Sequence, residues 1–329
     1  MSVEQVRQVL AQCQAGTLVE IIPVSIDTQG HVIEALRQKR LAGEHLAVVN
    51  LCDGTELDGY PGVSVVNSLQ KCRIPYSGSD AEFYEGTTSK PVLKRKLIAN
   101  NVATSPFVEI RPGAEIDDIQ ACEQIMSWPM IIKPSISYAS MNISDKSVVH
   151  SREEALAQTK AMIAAAPDGV FVESFLGGRE FTALCTGDAR VGVKVYPIAE
   201  RVFNAILKHE QRILAFDRYW DGYDLDGSKP PPDAPSLYWY DRAPADWQEE
   251  LQDLARRAYI ACGGNGYGRV DIRTRSLHKP DAFVLEVNAN CGLSFGAGSS
   301  SLGEILHLAG TPPTDFCRSL IEFALIRST

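Results

Sequence analysis

The sequence predicts an α/β protein of two or three compact domains, because of its length, its composition and the order of its helical and extended segments. With 329 residues, the chain is too long for one simple core. Hydrophobic residues make up 45% and charged residues 22%, which is ordinary for a globular protein. Near the N terminus, helical and strand patterns alternate, which is typical of a parallel sheet with helices packed against it.

Charge and cysteine usage argue against several classes of function. The net charge of −9 argues against nonspecific binding to nucleic acid or to an anionic membrane. No apolar run approaches the ~18 residues of a membrane span, and the first residues lack the apolar stretch of a signal peptide. The eight cysteines form no Cys-x-x-Cys pair, which favours free thiols over a zinc or redox site. We therefore expect a cytoplasmic protein that binds neither nucleic acid nor membrane.

The first 89 residues alternate between helical and extended patterns. We predict helices at 3–14, 32–41 and 60–72, and strands at 17–24 and 46–51. The two strands would belong to the parallel sheet of an N-terminal α/β domain.

From Lys90 onward, lysine and arginine cluster on a predicted helix of about ten residues. An apolar strand at 128–133 ends on Lys133 and leads into a hydroxyl-rich loop, 135–142. A lysine in this position can reach nucleotide phosphates, although an ordinary surface lysine is the commoner case. The chain has no Gly-x-x-x-x-Gly-Lys-Ser/Thr motif, which excludes a P-loop nucleotidase. A capping box at 151–154 predicts a helix to about residue 165, and a strand follows at 169–175.

The C-terminal half contains strand patterns within 181–215 and then a long aperiodic segment, 217–245. Asp246 caps a predicted helix that ends at Gly263-Gly264. One face of this helix carries Leu251, Leu254, Ala255, Ala258 and Tyr259. A Gly- and Ser-rich run, 296–301, precedes a predicted helix at 302–308, whose first amides would favour an anion. A flexible loop is the open alternative for that run.

Two alternating segments predict a pair of strands that carries carboxylates. Arg269, Asp271 and Arg273 alternate with Val270 and Ile272. In the second segment, Phe283, Leu285 and Val287 would form one face, and Val284, Glu286 and Asn288 the other. If the strands pair, Asp271, Glu286 and Asn288 meet beside Arg269. Three hard oxygen ligands suit magnesium, but the alternation alone is more typical of a solvated sheet face.

Taken in order, six segments resemble the D-alanine–D-alanine ligases of the ATP-grasp superfamily, from about residue 50 to the C terminus. They are Ile-Pro-Tyr-Ser-Gly-Ser (74–79), Ser-Lys-x-x-x-Lys (89–94), Ile-Lys-Pro-Ser (132–135), Val-Glu-Ser-Phe-Leu-x-x-x-Glu-Phe-Thr (172–182), Gly-Arg-Val-Asp (268–271) and Glu-Val-Asn-x-x-x-Gly (286–292). The resemblance implies an ATP-grasp fold of the α/β (α+β) class. It also implies an N-terminal pre-ATP-grasp domain at 1–89, a central ATP-binding subdomain at 90–176, and a C-terminal ATP-grasp subdomain with the metal site at 177–329.

The resemblance assigns a role to each matching position. Nucleotide-binding positions are Lys90, Lys133 and Ser140 for phosphates, Glu173, Ser174, Phe175 and Leu176 for adenine, and Glu180 for ribose. Asp271, Glu286 and Asn288 would hold two magnesium ions, for which manganese can substitute. Arg269 and the Gly292 amide would stabilise the tetrahedral intermediate. Ser301 and Leu302 match the positions that hold the carboxylate of the second substrate.

The implied activity is an ATP-dependent carboxylate–amine ligase that forms an amide or imine-type C–N bond through an acyl phosphate. Its partners would be a small-molecule carboxylate and an amine such as an amino acid, and the protein would be a homodimer. The long segment 217–245 would be the lid that excludes water. The family's lid carries a lysine that faces the γ-phosphate. Here residues 216–223 offer Arg218 but no aligned lysine, and Lys208 and Lys229 are the other candidates for that role.

Departures from the family pattern bear on the substrates. The sequence contains neither the family's opening strand nor its Gly-Gly-x-Ser-x-Glu loop, which indicates either a first substrate other than a D-amino acid or a sequence that lacks its true start. Residues 135–142 lack the glycines of the family's phosphate loop. Four additional residues separate Glu286 from Ser301. These changes favour an altered substrate pocket, and the sequence resembles the subgroup of ligases that join amino acids to a mycosporine core. Plain D-alanine–D-alanine ligase and a catalytically silent ATP-binding regulatory protein remain the alternatives.

Overall fold

The protein is described from a computed structural model that covers residues 3–13, 16–52, 54, 59–137, 140–166, 168–216, 236–296 and 300–328. Within these ranges, the chain contains a helical N-terminal part, a four-stranded sheet and a larger six-stranded sheet. In the described part, no helix is both long enough and apolar enough to cross a membrane.

The N-terminal part consists of α1 (Val3–Cys13), α2 (Gln29–Leu41), α3 (Gly62–Lys71) and α4 (Ala81–Thr88). Helices α2 and α3 share a small core with Ile74 and Tyr76. Asp80 caps α4 by accepting a hydrogen bond from the Phe83 amide. The three helices predicted in this region are therefore confirmed, with ends shifted by at most three residues.

The two strands predicted at 17–24 and 46–51 are wrong as regular strands. Residues 17–24 carry no strand, and Leu18 is 91% exposed. Residues 46–51 make one parallel bridge, in which the Val48 amide donates to Pro75 O and the Ser77 amide to Val48 O, both at 2.8 Å. An apolar pattern identifies a face that can be buried, but a strand also needs a hydrogen-bonding neighbour. Within the described residues, the parallel sheet is therefore reduced to this bridge.

The central part begins with α5 (Lys90–Ala99) and contains an antiparallel sheet in the order β1-β4-β2-β3. Its strands are β1 (Phe107–Ile110), β2 (Met130–Pro134), β3 (Val148–Val149) and β4 (Val170–Ser174). Helices α6 (Glu115–Ile125) and α7 (Arg152–Ala165) pack on this sheet around Ile119, Ile132 and Val172. The Ser151 hydroxyl accepts a hydrogen bond from the Glu154 amide, so the predicted start of α7 is confirmed.

The second sheet is antiparallel in the order β10-β9-β5-β7-β8, with β6 paired to β5. Its strands are β5 (Glu180–Asp188), β6 (Gly192–Val195), β7 (Ala199–Phe203), β8 (Tyr238–Arg242), β9 (Asn265–Thr274) and β10 (Ala282–Ala289). Helix α8 (Gln248–Ala261) covers one face, and the five apolar residues predicted for its inner side are all buried. On the other face, α9 (Ser301–Leu308) and α10 (Pro313–Ser328) pack together with α1.

The aperiodic segment 217–245 contains one strand that the sequence did not predict. Residues 238–242 form β8, which pairs with β7 along its length. Tyr238 and Tyr240 contact the guanidinium of Arg201, so the strand is held partly by a polar side chain on its neighbour. Residues 217–235, including Arg218 and Lys229, lie outside the described residues. The proposed lid therefore stays a prediction.

A bulge in β10 changes the predicted faces of the carboxylate hairpin. The pairing of β9 with β10 shifts between Val284 and Glu286. As a result Val284 and Val287 both lie in the apolar core, whereas Glu286 and Asn288 lie opposite Asp271 and Arg269. The prediction that Val284 shares a face with Glu286 is wrong, because a bulge inserts one residue and inverts the alternation beyond it.

Candidate active site

The carboxylates predicted on the hairpin do meet. Asp271 and Glu286 are paired across β9 and β10, and Asn288 Nδ2 donates to Asp271 Oδ2 at 3.0 Å. Arg269 faces Asp271 with two nitrogens, Nε at 2.9 Å from Oδ1 and Nη2 at 2.8 Å from Oδ2. Thr182 on β5 donates to the same carboxylate at 2.9 Å. The solvated sheet face is therefore excluded for Asp271, which is only 5% exposed.

The pKa values of the two carboxyl groups are shifted in opposite directions. Burial opposes the ionisation of Glu286, but the charges of Lys90, Arg269 and Lys133 outweigh it and hold its pKa at about 2. Burial raises the pKa of Asp271; Arg269 opposes this rise and the negative charge of Glu286 adds to it. Like charges that face each other in a partly buried site favour a cation between them.

The donor set fits magnesium. It offers two carboxylates and one amide, which are the hard oxygen ligands that magnesium prefers. Among the described residues, no group of three His, Cys, Asp or Glu side chains is placed to hold a metal. The third protein ligand that the hairpin offers is the side-chain amide of Asn288, which lies against Asp271.

Lys90 connects the hairpin with the loop that follows β2. It is the first residue of α5, and its amide donates to Ser135 O at 2.9 Å. Its ammonium lies 3.3 Å from Glu286 Oε2 and 3.2 Å from both the carbonyl and the hydroxyl oxygen of Ser137. The structure thus brings together the predicted phosphate lysine, the hydroxyl-rich loop and a predicted metal ligand.

The second predicted phosphate lysine, Lys133, lies on β2 against Glu173 of β4. The distance from Lys133 Nζ to Glu173 Oε1 is 2.5 Å. The other oxygen, Oε2, lies 2.6 Å from Lys94 Nζ and 2.5 Å from the Ser105 hydroxyl. Burial opposes ionisation of Glu173, yet Lys133 and Lys94 hold its pKa at about 2. Both carboxylate oxygens therefore already have partners inside the protein.

Residues 174–176, assigned to adenine, follow Glu173 directly in the chain. The Ser174 amide donates to Pro106 O at 3.1 Å and the Phe175 amide to Pro129 O at 3.3 Å. The Phe175 ring lies 5.5 Å from the guanidinium of Arg273. Arg273 in turn donates to Glu180 Oε2 at 3.0 Å, and Arg201 pairs with the other oxygen of Glu180. Glu180, assigned to ribose, is thus next to the adenine segment, buried between two arginines.

The residues assigned to the second substrate also lie beside the hairpin. Arg269 Nη1 donates to the Ser301 hydroxyl at 3.1 Å, and Ser301 is the first residue of α9. Leu302 follows it in the helix and is 1% exposed, so the residue as a whole is buried. Gly292 is exposed, and a side chain there would meet no neighbouring atom within 4 Å. Ser140 is half-buried in a left-handed conformation with φ 61°.

Three further residues, Lys94, Ser105 and Thr182, have no role predicted from the sequence. The sequence did contain an indication for Lys94, because the residue lies on the apolar side of α5 with Leu93 and Leu97. The structure shows that both leucines are fully buried. A lysine on the apolar side of a helix is rarely buried without a charged partner. Ser105 and Thr182 carried no signal, since their partners, Glu173 and Asp271, are 68 and 89 positions away in the chain.

Two antiparallel sheets with a carboxylate hairpin and two inward lysines define an enzyme of the ATP-grasp class, an ATP-dependent ligase. The chain belongs to the family described as D-ala D-ala ligase C-terminus, which it matches over residues 98–322. A D-alanine–D-alanine ligase of Desulforudis audaxviator is 26% identical over 93% of this chain and 88% of its own length.

Solved structures show the same fold. The D-alanine–D-alanine ligase of Bacillus anthracis complexed with ATP aligns with a TM-score of 0.69 at 18% identity, over 99% of this chain and 92% of its own. The D-Ala:D-Ser ligase VanG of Enterococcus faecalis aligns with a TM-score of 0.62 at 17% identity, over 79% of this chain and 68% of its own.

Proposed function

We propose that this protein joins a small-molecule carboxylate to an amine at the expense of ATP, through an acyl phosphate. The observation that supports the proposal most directly is the contact of Lys90 with Glu286 at 3.3 Å, because it brings the lysine proposed for the phosphates next to a carboxylate proposed for the metal. Ligation through an acyl phosphate needs both groups at the γ-phosphate.

In the first step, an oxygen of the substrate carboxylate attacks the γ-phosphorus, the bond to the β-phosphate oxygen breaks, and ADP leaves. Lys90 and Lys133 offset the negative charge that accumulates on the phosphates. Asp271, Glu286 and Asn288 would hold magnesium, which when bound neutralises phosphate charge and orients the γ-phosphate. The hydroxyls of Ser137 and Ser140 lie in the loop that would bind the phosphate oxygens.

In the second step, the amine attacks the acyl carbon, phosphate leaves, and the nitrogen loses a proton. Arg269 would stabilise the oxyanion together with the Gly292 amide. The Arg269 guanidinium also contacts the Ser301 hydroxyl at 3.1 Å. The same side chain can therefore link the developing oxyanion to the carboxylate of the incoming amino acid.

For the substrates, we propose an amino acid as the amine and a small acid as its partner. Two of the relatives named above are D-alanine–D-alanine ligases and one is a D-Ala:D-Ser ligase, which supports a D-amino acid pair as one candidate. The mycosporine-type reading rests on the departures in sequence, namely the loop without glycines and the longer connection before Ser301. An assay that omits every D-amino acid separates the two candidates.

Release of ADP tests the activity. With MgATP and a panel of acid–amine pairs, at least one pair should stimulate ADP formation. Asp271→Asn and Glu286→Gln should each lower kcat by 10²-fold or more, because they remove charge from the metal site. Asp253→Asn is the matched control, since that carboxylate is exposed on α8 and pairs with Arg257. If the folded chain binds ATP but no pair stimulates ADP release, the regulatory alternative replaces the ligase.

A further inference from the structure

A fully buried lysine on α5 has no role in the proposed chemistry. Lys94 is 0% exposed, and its ammonium lies 2.6 Å from Glu173 Oε2, 2.8 Å from the Thr104 hydroxyl and 2.9 Å from the Ser105 hydroxyl. These contacts use all three of its N–H donors. Lys94 therefore has no donor left for a nucleotide, and any effect on a ligand must pass through its neighbours.

Its main neighbour, Glu173, is shared with a second lysine. Glu173 is 1% exposed, with Lys94 on one oxygen and Lys133 at 2.5 Å on the other. The Lys133 side chain is 15% exposed. Among the described residues, Glu173 is the one hydrogen-bonding or ion-pair partner of the Lys133 ammonium, so two of its donors remain for a ligand. The three side chains form a row that runs from the interior to the site.

The net charge of this row of side chains depends on Lys94. Two ammonium groups and one carboxylate carry a net charge of +1. Without Lys94, the pair of Glu173 and Lys133 would be neutral and would attract phosphate only weakly. Because the row is buried, such charges are screened less than surface charges are.

We propose that Lys94 is a positioning residue that neutralises Glu173, so that Lys133 presents a net positive charge to the phosphates of ATP. The proposal rests on the phosphate-binding role of Lys133 in the proposed function. It goes further in assigning the buried carboxylate to control of the lysine rather than to recognition of adenine.

The experiment compares binding of MgATP with binding of adenosine, which has no phosphate. Lys94→Met should weaken MgATP by about tenfold, as expected for one partly screened charge near the phosphates. Adenosine should bind within about twofold of the unchanged protein, because no charge enters its recognition. Arg95→Met is the matched control, since it removes one positive charge from the same helix at an exposed position paired with Glu109.

The decisive measurement is the MgATP affinity of a variant in which the loss of the Lys94 charge is compensated by the loss of the Glu173 charge. The double variant Lys94→Met/Glu173→Gln leaves Lys133 with its charge of +1 and should recover most of the lost affinity for MgATP. Glu173→Gln alone should bind MgATP at least as tightly as the unchanged protein. If Lys94→Met fails to fold, the comparison between Glu173→Gln and the double variant carries the test, and the double variant should be weaker by about tenfold.

Three results would overturn the proposal: unchanged MgATP affinity in folded Lys94→Met, an equal loss for MgATP and adenosine, or no recovery in a folded double variant. These results differ from failure of the proposed function. In that case, the unchanged protein itself would not bind MgATP, and the role given to Lys94 would fall with the nucleotide site.

Discussion

At the scale of single residues, the site depends on buried charges that are balanced by their neighbours. Glu173, Asp271 and Glu180 are each less than 7% exposed, and each faces at least one lysine or arginine. Removing one member of such a group leaves an uncompensated charge in a medium of low polarity, which is far more costly than losing a surface pair. Conservative substitutions at these positions should therefore affect stability as well as activity.

Glu173 gives a testable dependence of stability on pH. Its pKa is lowered to about 2 in the folded protein from 4.5. A carboxyl group with a lowered pKa contributes stability above its unfolded pKa, and this contribution is lost as the pH falls toward the folded pKa. The difference in free energy of unfolding between the unchanged protein and Glu173→Gln should be about 3 kcal/mol near pH 7 and should shrink below about pH 4.5.

Urea denaturation at several pH values between 7 and 3 would measure this difference. Glu109→Gln is the matched control, because Glu109 pairs with Arg95 at an exposed position. Its effect should stay below about 1 kcal/mol at every pH. A difference for Glu173→Gln that stays constant down to pH 3 would contradict the assignment.

At the scale of elements, one close backbone contact constrains how β9 packs against the 76–78 segment. Strand β9 passes the 76–78 segment so closely that a side chain at Gly266 would come within 2.1 Å of Gly78 O. Gly266 also has a φ of 88°. The position thus requires glycine for two separate reasons, conformation and space.

Gly266→Ala should therefore destabilise the protein by more than conformation alone explains. Gly263→Ala is the matched control, because Gly263 has a φ of 82° and no atom within 4 Å of an added side chain. The control should cost about 1 kcal/mol. Gly266→Ala should cost roughly 2–4 kcal/mol, because the backbone on either side must move. Equal losses in chemical denaturation would show that the contact with Gly78 contributes nothing.

At the scale of the whole molecule, the last helix, α10, contacts both the first helix and the 76–78 segment. Helix α1 packs against α10. Near the end of α10, Arg327 donates to Tyr76 O at 2.7 Å and to Gly78 O at 2.8 Å, and it also contacts Asn265. Its guanidinium lies 4.0 Å from the centroid of the Tyr76 ring. One side chain thus connects the last helix, the N-terminal part and the start of β9.

Arg327→Met should lower the free energy of unfolding by roughly 2–4 kcal/mol, because it leaves two carbonyl oxygens without their donor. Limited proteolysis should then cleave the region before residue 89 faster than in the unchanged protein. Arg256→Met, which removes an exposed arginine of α8 that lies 4.0 Å from Asp253 in the same helix, should leave both measurements nearly unchanged. The division into domains at 89 and 176 and the homodimer stay predictions, which proteolysis and light scattering can test.

The sequence by itself determined the class of fold, most helices, the hairpin and the order of the site motifs. These follow from local patterns, such as the apolar face of α8, the Ser151 cap and the alternation around Asp271. It did not determine which strands have neighbours, so the strand at 17–24 was predicted wrongly and β8 was missed. Nor could it place the bulge that brings Glu286 beside Asp271, because a bulge depends on how two distant strands pair. The partners of Lys94 were decided only by tertiary structure, since a buried charge is recognisable in the sequence but the residue that balances it is not.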